Sequence, residues 1–349
     1  MLAAAPARAE RMHPMRSMSR LLLLALLLLA APLAALANDP CPWLRDQIHA
    51  TDPATRLAAA ACEEHQLWYR PFIDIEGRYA GTAVREADAT PLANGEQAWR
   101  RVAGYWRGTD QLSQLMQRPG AVDCMYASYS DQPSAGCRSF LMDVPWSAAF
   151  VSWVARRAML PGFRGSPSHI DYVREAFRNP QTSAYRVAHP VTARPARGDM
   201  LCYARHADRI FGFRGLAHLL SSDDGGLGMH CDIVVGAGNG QAQLIGGNVL
   251  DAVSMRLLPL TPGGQFAGLA QRALDDPSCS PDALVFCNAN RQDWAVLLQL
   301  RPASELAGLV PSMGLYGMPP PVPATPSPQP APCCVECSAG DSVPRCPGT

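Results

Sequence analysis

Residues Pro145 to Leu160 read PWSAAFVSWVARRAML. Ala148, Val151, Ala155 and Ala158 recur at helical spacing, and Phe150, Trp153 and Val154 widen the apolar arc. Such a pattern predicts a helix that is mostly inside a core. Ser147 falls in its first turn, where orphan backbone N–H groups and the positive end of the helix dipole stabilise negative charge on a nearby oxygen. Two uses of this serine are open: a nucleophile, or a helix cap following Pro145.

On the N-terminal side, EQAWRRVAGYWRG, which follows Gly95, places Trp99, Val102, Ala103 and Trp106 on one face of an amphipathic helix. A loop from Arg118 to Asp143 separates it from the Ser147 helix. On the C-terminal side, Ser166-Pro167-Ser168-His169 leads into a short helix from Ile170 to Phe177. His169 is read there as a capping or exposed residue and is held only in reserve for a site.

From Pro195 the period changes. PARGDMLCYAR is a turn followed by a strand over Met200 to Tyr203, and residues 206 to 228 read as an insertion ending in a loop. HCDIVVGAGNGQAQLIGGNV then gives two strands around Gly238-Asn239-Gly240, a hairpin signal, and Ala252 to Leu258 supplies a further strand. Helices first and antiparallel strands after define an α+β class.

Four motifs in this order resemble the CHAP branch of the papain-like cell-wall amidases and peptidases, and more closely the family known as domain of unknown function 2272. They are Trp146 to Val154 (WSAAFVSWV), Pro195 to Asp199 (PARGD), His230 opening HCDIVV, and Gly247-Asn248 followed by Val253 to Arg256. The resemblance covers about residues 95 to 300 and implies a papain-like arrangement of helices on an antiparallel sheet. It departs at one place: CHAP proteins carry a cysteine where this chain has Ser147. A hydroxyl, unlike a thiol, needs a well-placed general base in every turnover.

In a site of that kind Ser147 is the nucleophile, His230 takes its proton, and Asn248 orients the imidazole. Asp232 lies two residues from His230 and so on the same strand face, where a carboxylate can hold the histidine or pair with an arginine such as Arg256. N–H groups at the start of the Ser147 helix supply the oxyanion donors. No metal or organic cofactor is expected. A zinc site from Cys202, His230, Cys231 and Asp232 would need adjacent strand residues to converge, although they point to opposite faces.

The chain divides into a leader (1–37), a helical extension (38–93), the CHAP-type domain (94–302) and a proline-rich linker with a cysteine-containing tail (303–349), expected to be unpacked. Arg8, Arg11, Arg16 and Arg20, the apolar run Leu21 to Ala31 and Ala35-Leu36-Ala37 form a secretory signal, the run being short for a membrane span. The protein is therefore expected to be exported, periplasmic or extracellular, with no integral span after cleavage. Asn38-Asp39-Pro40 before Cys41 lacks the features of a lipidation site.

In the extension, two short helices break at Asp52-Pro53 and end near Pro71. His65 beside Glu63 and Glu64 reads as a solvated helix face, since neighbours in a helix do not converge on a metal.

All 30 cations are arginines. Residues 1–37 hold four arginines and one glutamate, leaving 26 positive and 29 negative side chains, a net charge of −3. That balance removes nucleic acid as a partner. Twelve cysteines with an export signal imply disulfides. Spacing alone does not fix connectivity; the local pairs expected are Cys41 with Cys62, Cys124 with Cys137 and Cys279 with Cys287, with Cys202 and Cys231 pairing if their strands are neighbours.

Two functions follow from these expectations: a hydrolase of amide or peptide bonds in peptidoglycan, or a catalytically inactive relative that binds cell wall or a protein partner.

Overall fold

Asp52 starts the first long helix. Its carboxylate accepts from the backbone N–H of Thr55 at 3.0 Å, and Pro53, fixed near helical φ, follows at once. The computed structural model describes residues 1, 39–81, 84–127, 134–206, 208–222 and 225–309. Of the expected leader only Met1 lies among them, and the proline-rich spacer and tail cysteines lie outside them.

The helices are α1 (Cys41–Leu44), α2 (Pro53–Leu67), α3 (Ala98–Gly108), α4 (Ala121–Met125), α5 (Ala135–Asp143), α6 (Ser147–Arg157), α7 (His169–Arg178), α8 (Gly212–Ser222) and α9 (Ala303–Leu306). The strands are β1 (Phe72–Ile73), β2 (Tyr79–Ala80), β3 (Tyr185–Ala188), β4 (Met200–Ala204), β5 (Met229–Gly238), β6 (Gln241–Val249), β7 (Ala252–Pro259) and β8 (Asp293–Leu300). They form one sheet in the order β2-β1-β7-β6-β5-β4-β8-β3. The class is α+β, as expected, but the sheet is mixed: β1 runs parallel to β7, while the other neighbours are antiparallel. The 38–93 segment, read as helical, thus also supplies the two strands at one end of the sheet, β1 and the edge strand β2.

The β5–β6 hairpin turns on Asn239 and Gly240, with φ of 52° and 76°. Two left-handed residues match the right-handed twist of the strands, which is why an Asn-Gly pair marks this turn. The insertion at 206–228 contains α8, which packs on β8 and α7. Four disulfides join Cys41–Cys62, Cys124–Cys137, Cys202–Cys231 and Cys279–Cys287 among the described residues. Cys202 and Cys231 are direct partners across β4 and β5, so both sulfurs are spent in a covalent bond.

The helix α2 corrects one expectation. Glu64 and His65 are buried, because the alanine-rich helix packs on β5, β6 and β7 and also meets α6. Glu64 is not solvated: it accepts from Arg101 Nε at 2.9 Å and from Tyr105 Oη at 2.5 Å. Glu63 alone faces outward, paired with Arg157.

The main core lies between the helices and one sheet face. Trp68, Tyr105 and Phe150 surround Trp146 there, with ring centroids 5.6 to 6.4 Å from its ring. A smaller core on the other face holds Leu201, Val234, Leu244, Leu258, Phe266 and Trp294. Leu306 of α9 is buried in the main core, so the first residues of the segment read as linker are packed.

Asp199, before β4, ties the sheet to the turn that precedes it. Its carboxylate accepts from Ala196 N and Leu300 N, each at 2.8 Å. Gly198 has φ of 89°, and a Cβ there would stand 2.6 Å from Leu300. The PARGD motif is therefore a structural clamp. Asp199→Ala leaves two backbone donors without acceptors and is expected to lower the unfolding free energy by about 2–4 kcal/mol, read by urea denaturation.

Candidate functional site

The helix α6 starts at Ser147 after Trp146, which takes the cap position without a side-chain cap bond. Its first intrahelical bond runs from Phe150 N to Trp146 O at 2.9 Å. The N–H groups of Ser147, Ala148 and Ala149 precede that bond and point out of the helix start. Ser147 is 3 % exposed.

Two glycines of β6 let α6 and the sheet approach. A Cβ on Gly247 would stand 2.5 Å from Phe150, and one on Gly246 would stand 1.9 Å from Asp232 Oδ1. Asn248, with φ of 54°, then turns its side-chain amide to Trp146; with the amide assigned so that its oxygen faces these donors, it accepts from the backbone N at 3.1 Å and from the indole Nε1 at 3.3 Å. Asn248 therefore bonds the start of α6, and no hydrogen bond joins it to a histidine among the described residues.

The histidine that touches Ser147 is His169, at the start of α7. Its Nε2 lies 2.7 Å from Ser147 Oγ, and its Nδ1 is hydrogen-bonded to Tyr172 Oη. The approach is set by Ser152, one and a half turns along α6. Ser152 Oγ accepts from Ser166 N at 3.1 Å and donates to Ser166 O at 3.2 Å, which docks the loop before α7 onto α6. Gly165 permits this closeness, since its Cβ would stand 2.9 Å from Ser152.

His169 is buried, at 3 % exposure, and its pKa is well below 6.5. Burial is the main cause; His230 and Arg205 add to the fall, and Asp232 opposes it. The imidazole is thus neutral at neutral pH. Burial also pushes Tyr172 well above 10, so its phenol keeps its proton. A self-consistent proton arrangement has Ser147 donating to Nε2 while Nδ1–H donates to Tyr172 Oη.

His230 occupies a different network. Its Nε2 is 2.7 Å from Asp232 Oδ1, and Arg205 Nη2 is 3.1 Å from its Nδ1. An arginine can only donate, so Nδ1 is the acceptor and Nε2–H gives its proton to Asp232. Both ring nitrogens are engaged, and neither is bonded to Ser147 among the described residues. The other oxygen of Asp232 accepts from Arg256 Nε at 2.9 Å. The two roles open for this carboxylate, holding His230 and pairing with Arg256, are filled at once. The His169 and His230 rings are 5.4 Å apart, so the two networks are neighbours.

Of the expected residues, the structure thus brings His230 and Asp232 together, places Ser147 against His169, and turns Asn248 to Trp146. Tyr172 and Glu86 are additions. The i,i+3 spacing of His169 and Tyr172 on one helix was the available signal for the first.

Glu86 accepts from Trp146 Nε1 at 2.6 Å across 60 residues of sequence. Burial, chiefly, pushes its pKa from 4.5 to about 7; the Trp146 bond opposes this and Asp251 adds to it. The folded state keeps the proton up to about pH 7 while the unfolded chain loses it near 4.5. Its stabilising contribution is therefore full below 4.5 and is lost as pH rises to 7. Glu86→Gln should remove this loss. Between pH 4.5 and 7.5 the parent is expected to lose about 1–2 kcal/mol relative to the variant, a figure discounted for nearby solvent, in paired denaturation curves.

Together, a hydroxyl at a helix start, a neutral imidazole on it and an adjacent buried ion network define an α+β protein with a serine–histidine pair. Residues 93–300 match the family described as "Uncharacterized protein conserved in bacteria (DUF2272)", and the chain belongs to it. No curated protein and no solved structure matches the chain. No helix among the described residues is long and apolar enough to cross a membrane.

Proposed function

We propose that the protein is an exported hydrolase of amide or peptide bonds, acting on peptidoglycan, with Ser147 as nucleophile and His169 as general base. The observation that carries this reading is the 2.7 Å contact between Ser147 Oγ and His169 Nε2 at the N-terminus of a buried helix. The four-motif resemblance to CHAP-type amidases supports the substrate class, and the leader and four disulfides support export.

In the reaction, Ser147 Oγ attacks the scissile carbonyl as its proton passes to His169 Nε2. Tyr172 Oη receives the Nδ1–H bond and fixes the ring. The N–H groups of Ser147, Ala148 and Ala149 face the developing oxyanion. His169 then gives the proton to the leaving amine, and water, deprotonated by the same nitrogen, releases the acyl group from Ser147.

A second reading, a catalytically inactive relative that binds cell wall or a protein, is favoured by the burial of Ser147 and His169, each 3 % exposed. Release of soluble fragments from purified peptidoglycan, followed by mass spectrometry, separates the two. The parent is expected to release fragments that Ser147→Ala does not. Silence from folded parent and folded Ser147→Cys alike would leave the binding reading.

A further inference from the structure

Beside the serine–histidine pair lies a cluster whose charges do not balance. Arg205 and Arg256 carry two positive charges, Asp232 one negative, and His230, fixed as the neutral Nε2–H form by its two partners, none. Arg256 is 2 % exposed and is held through Nε and Nη1, with Asp232, Ala289 O and Asn290 Oδ1 as acceptors at 2.7 to 2.9 Å. Arg205 is different. It is exposed, it forms no salt bridge among the described residues, and Nη2 alone is bonded, to Tyr203 Oη at 3.3 Å and His230 Nδ1 at 3.1 Å. Its Nε and Nη1 donors meet no protein acceptor there.

Both guanidinium groups lie against one ring, 5.6 and 5.9 Å from the Tyr203 centroid. They line a cleft of about 230 Å³ together with Tyr203, Val249, Leu250 and Gln292. Leu250 is 49 % exposed although it is a large apolar residue, and it stands on a turn where Asn248, Leu250 and Asp251 all have φ between 52° and 64°. A left-handed leucine costs free energy, and the turn spends it on presenting that side chain at the rim. The cleft thus joins a cationic wall with unused donors to an apolar lip. Its volume is below the roughly 300–1,000 Å³ of sites that enclose an entire ligand, so it suits one end of a chain.

We propose that this cleft binds the C-terminal residue of a peptide, the carboxylate on Arg205 and the small apolar side chain against Val249 and Leu250. A planar carboxylate matches the free edge of the guanidinium, and the surplus positive charge selects an anion over an amide. The site does not require Ser147 to be active.

Calorimetric titration of the full chain with acetyl-alanyl-alanine, its C-terminal amide and inorganic phosphate tests the assignment. The acid is expected to bind about tenfold more tightly than the amide, the value of one charge-assisted pair. Arg205→Gln should abolish that preference, and Leu250→Asp, which puts a like charge at the rim, should weaken the acid selectively. Equal binding of acid and amide, no binding of the acid, or a preference that survives Arg205→Gln would overturn the proposal. Phosphate binding as tight as the acid would also overturn it and assign the cleft to a free anion.

Discussion

Arg256→Met is expected to lower the unfolding free energy by about 3–5 kcal/mol, the cost of leaving a buried charge without its partner. Arg256 and Asp232 are both inside the protein, at 2 % and 0 % exposure. Burial alone would raise the pKa of Asp232, but His230 and Arg256 outweigh it and hold the group below the usual carboxylate range. The stability that this pairing contributes is present above the unfolded-state pKa and is lost as pH falls below it. Methionine fills the arginine stem but leaves Asp232 with His230 alone, and it takes the Nη1 donor away from Ala289 O and Asn290 Oδ1. Replacing Asp232 by leucine in the same chain should recover part of the loss, because an apolar pair avoids the desolvation cost. Urea denaturation of the parent, single and double variants measures both. A loss under about 1 kcal/mol for Arg256→Met would show that the network is not the buried unit described.

The second large effect concerns catalysis. His169→Ala is expected to lower kcat/KM on peptidoglycan fragments by about 10²–10⁴, the range for losing a general base. His230→Gln is expected to lower it by less than about tenfold, since both His230 nitrogens are committed to Asp232 and Arg205. The two variants separate cleanly because their other consequences differ. His230→Gln disturbs the buried network and should show in denaturation, whereas His169→Ala removes a ring bonded to Ser147 and Tyr172. The opposite ranking would make His230 the base and require Arg205 to leave its Nδ1 during turnover.

Local pattern carried much of the fold. The α6 helix was legible from its apolar period and the β5–β6 hairpin from Asn239-Gly240; spacing does not fix disulfide connectivity, though the three expected local pairs are those that form. Strand parity joined His230 to Asp232, and the two are bonded. What stayed hidden has physical reasons. β8, DWAVLLQL, is buried on both faces over most of its length, so it lacks the alternation that marks a half-buried strand. β1 and β2 are two residues each, too short for any period, and the parallel pairing of β1 with β7 spans the whole domain.

The choice between His169 and His230 was equally illegible. It rests on Ser152 and Ser166 docking one loop against α6, a contact across 14 residues that no periodicity records. Asn248 was expected as a histidine partner from the Gly247-Asn248 motif of the CHAP resemblance; its left-handed backbone turns the amide to Trp146 instead.

The account's central claim is that His169 activates Ser147. Labelling with a fluorophosphonate, which phosphonylates only a serine whose proton is being taken, reads this without needing the natural substrate. After digestion and mass spectrometry, the parent should carry the label on the peptide containing Ser147, His230→Gln should keep it, and His169→Ala, shown to be folded, should lose it. An unlabelled parent, or labelling of Ser147 that persists without His169, would contradict the claim.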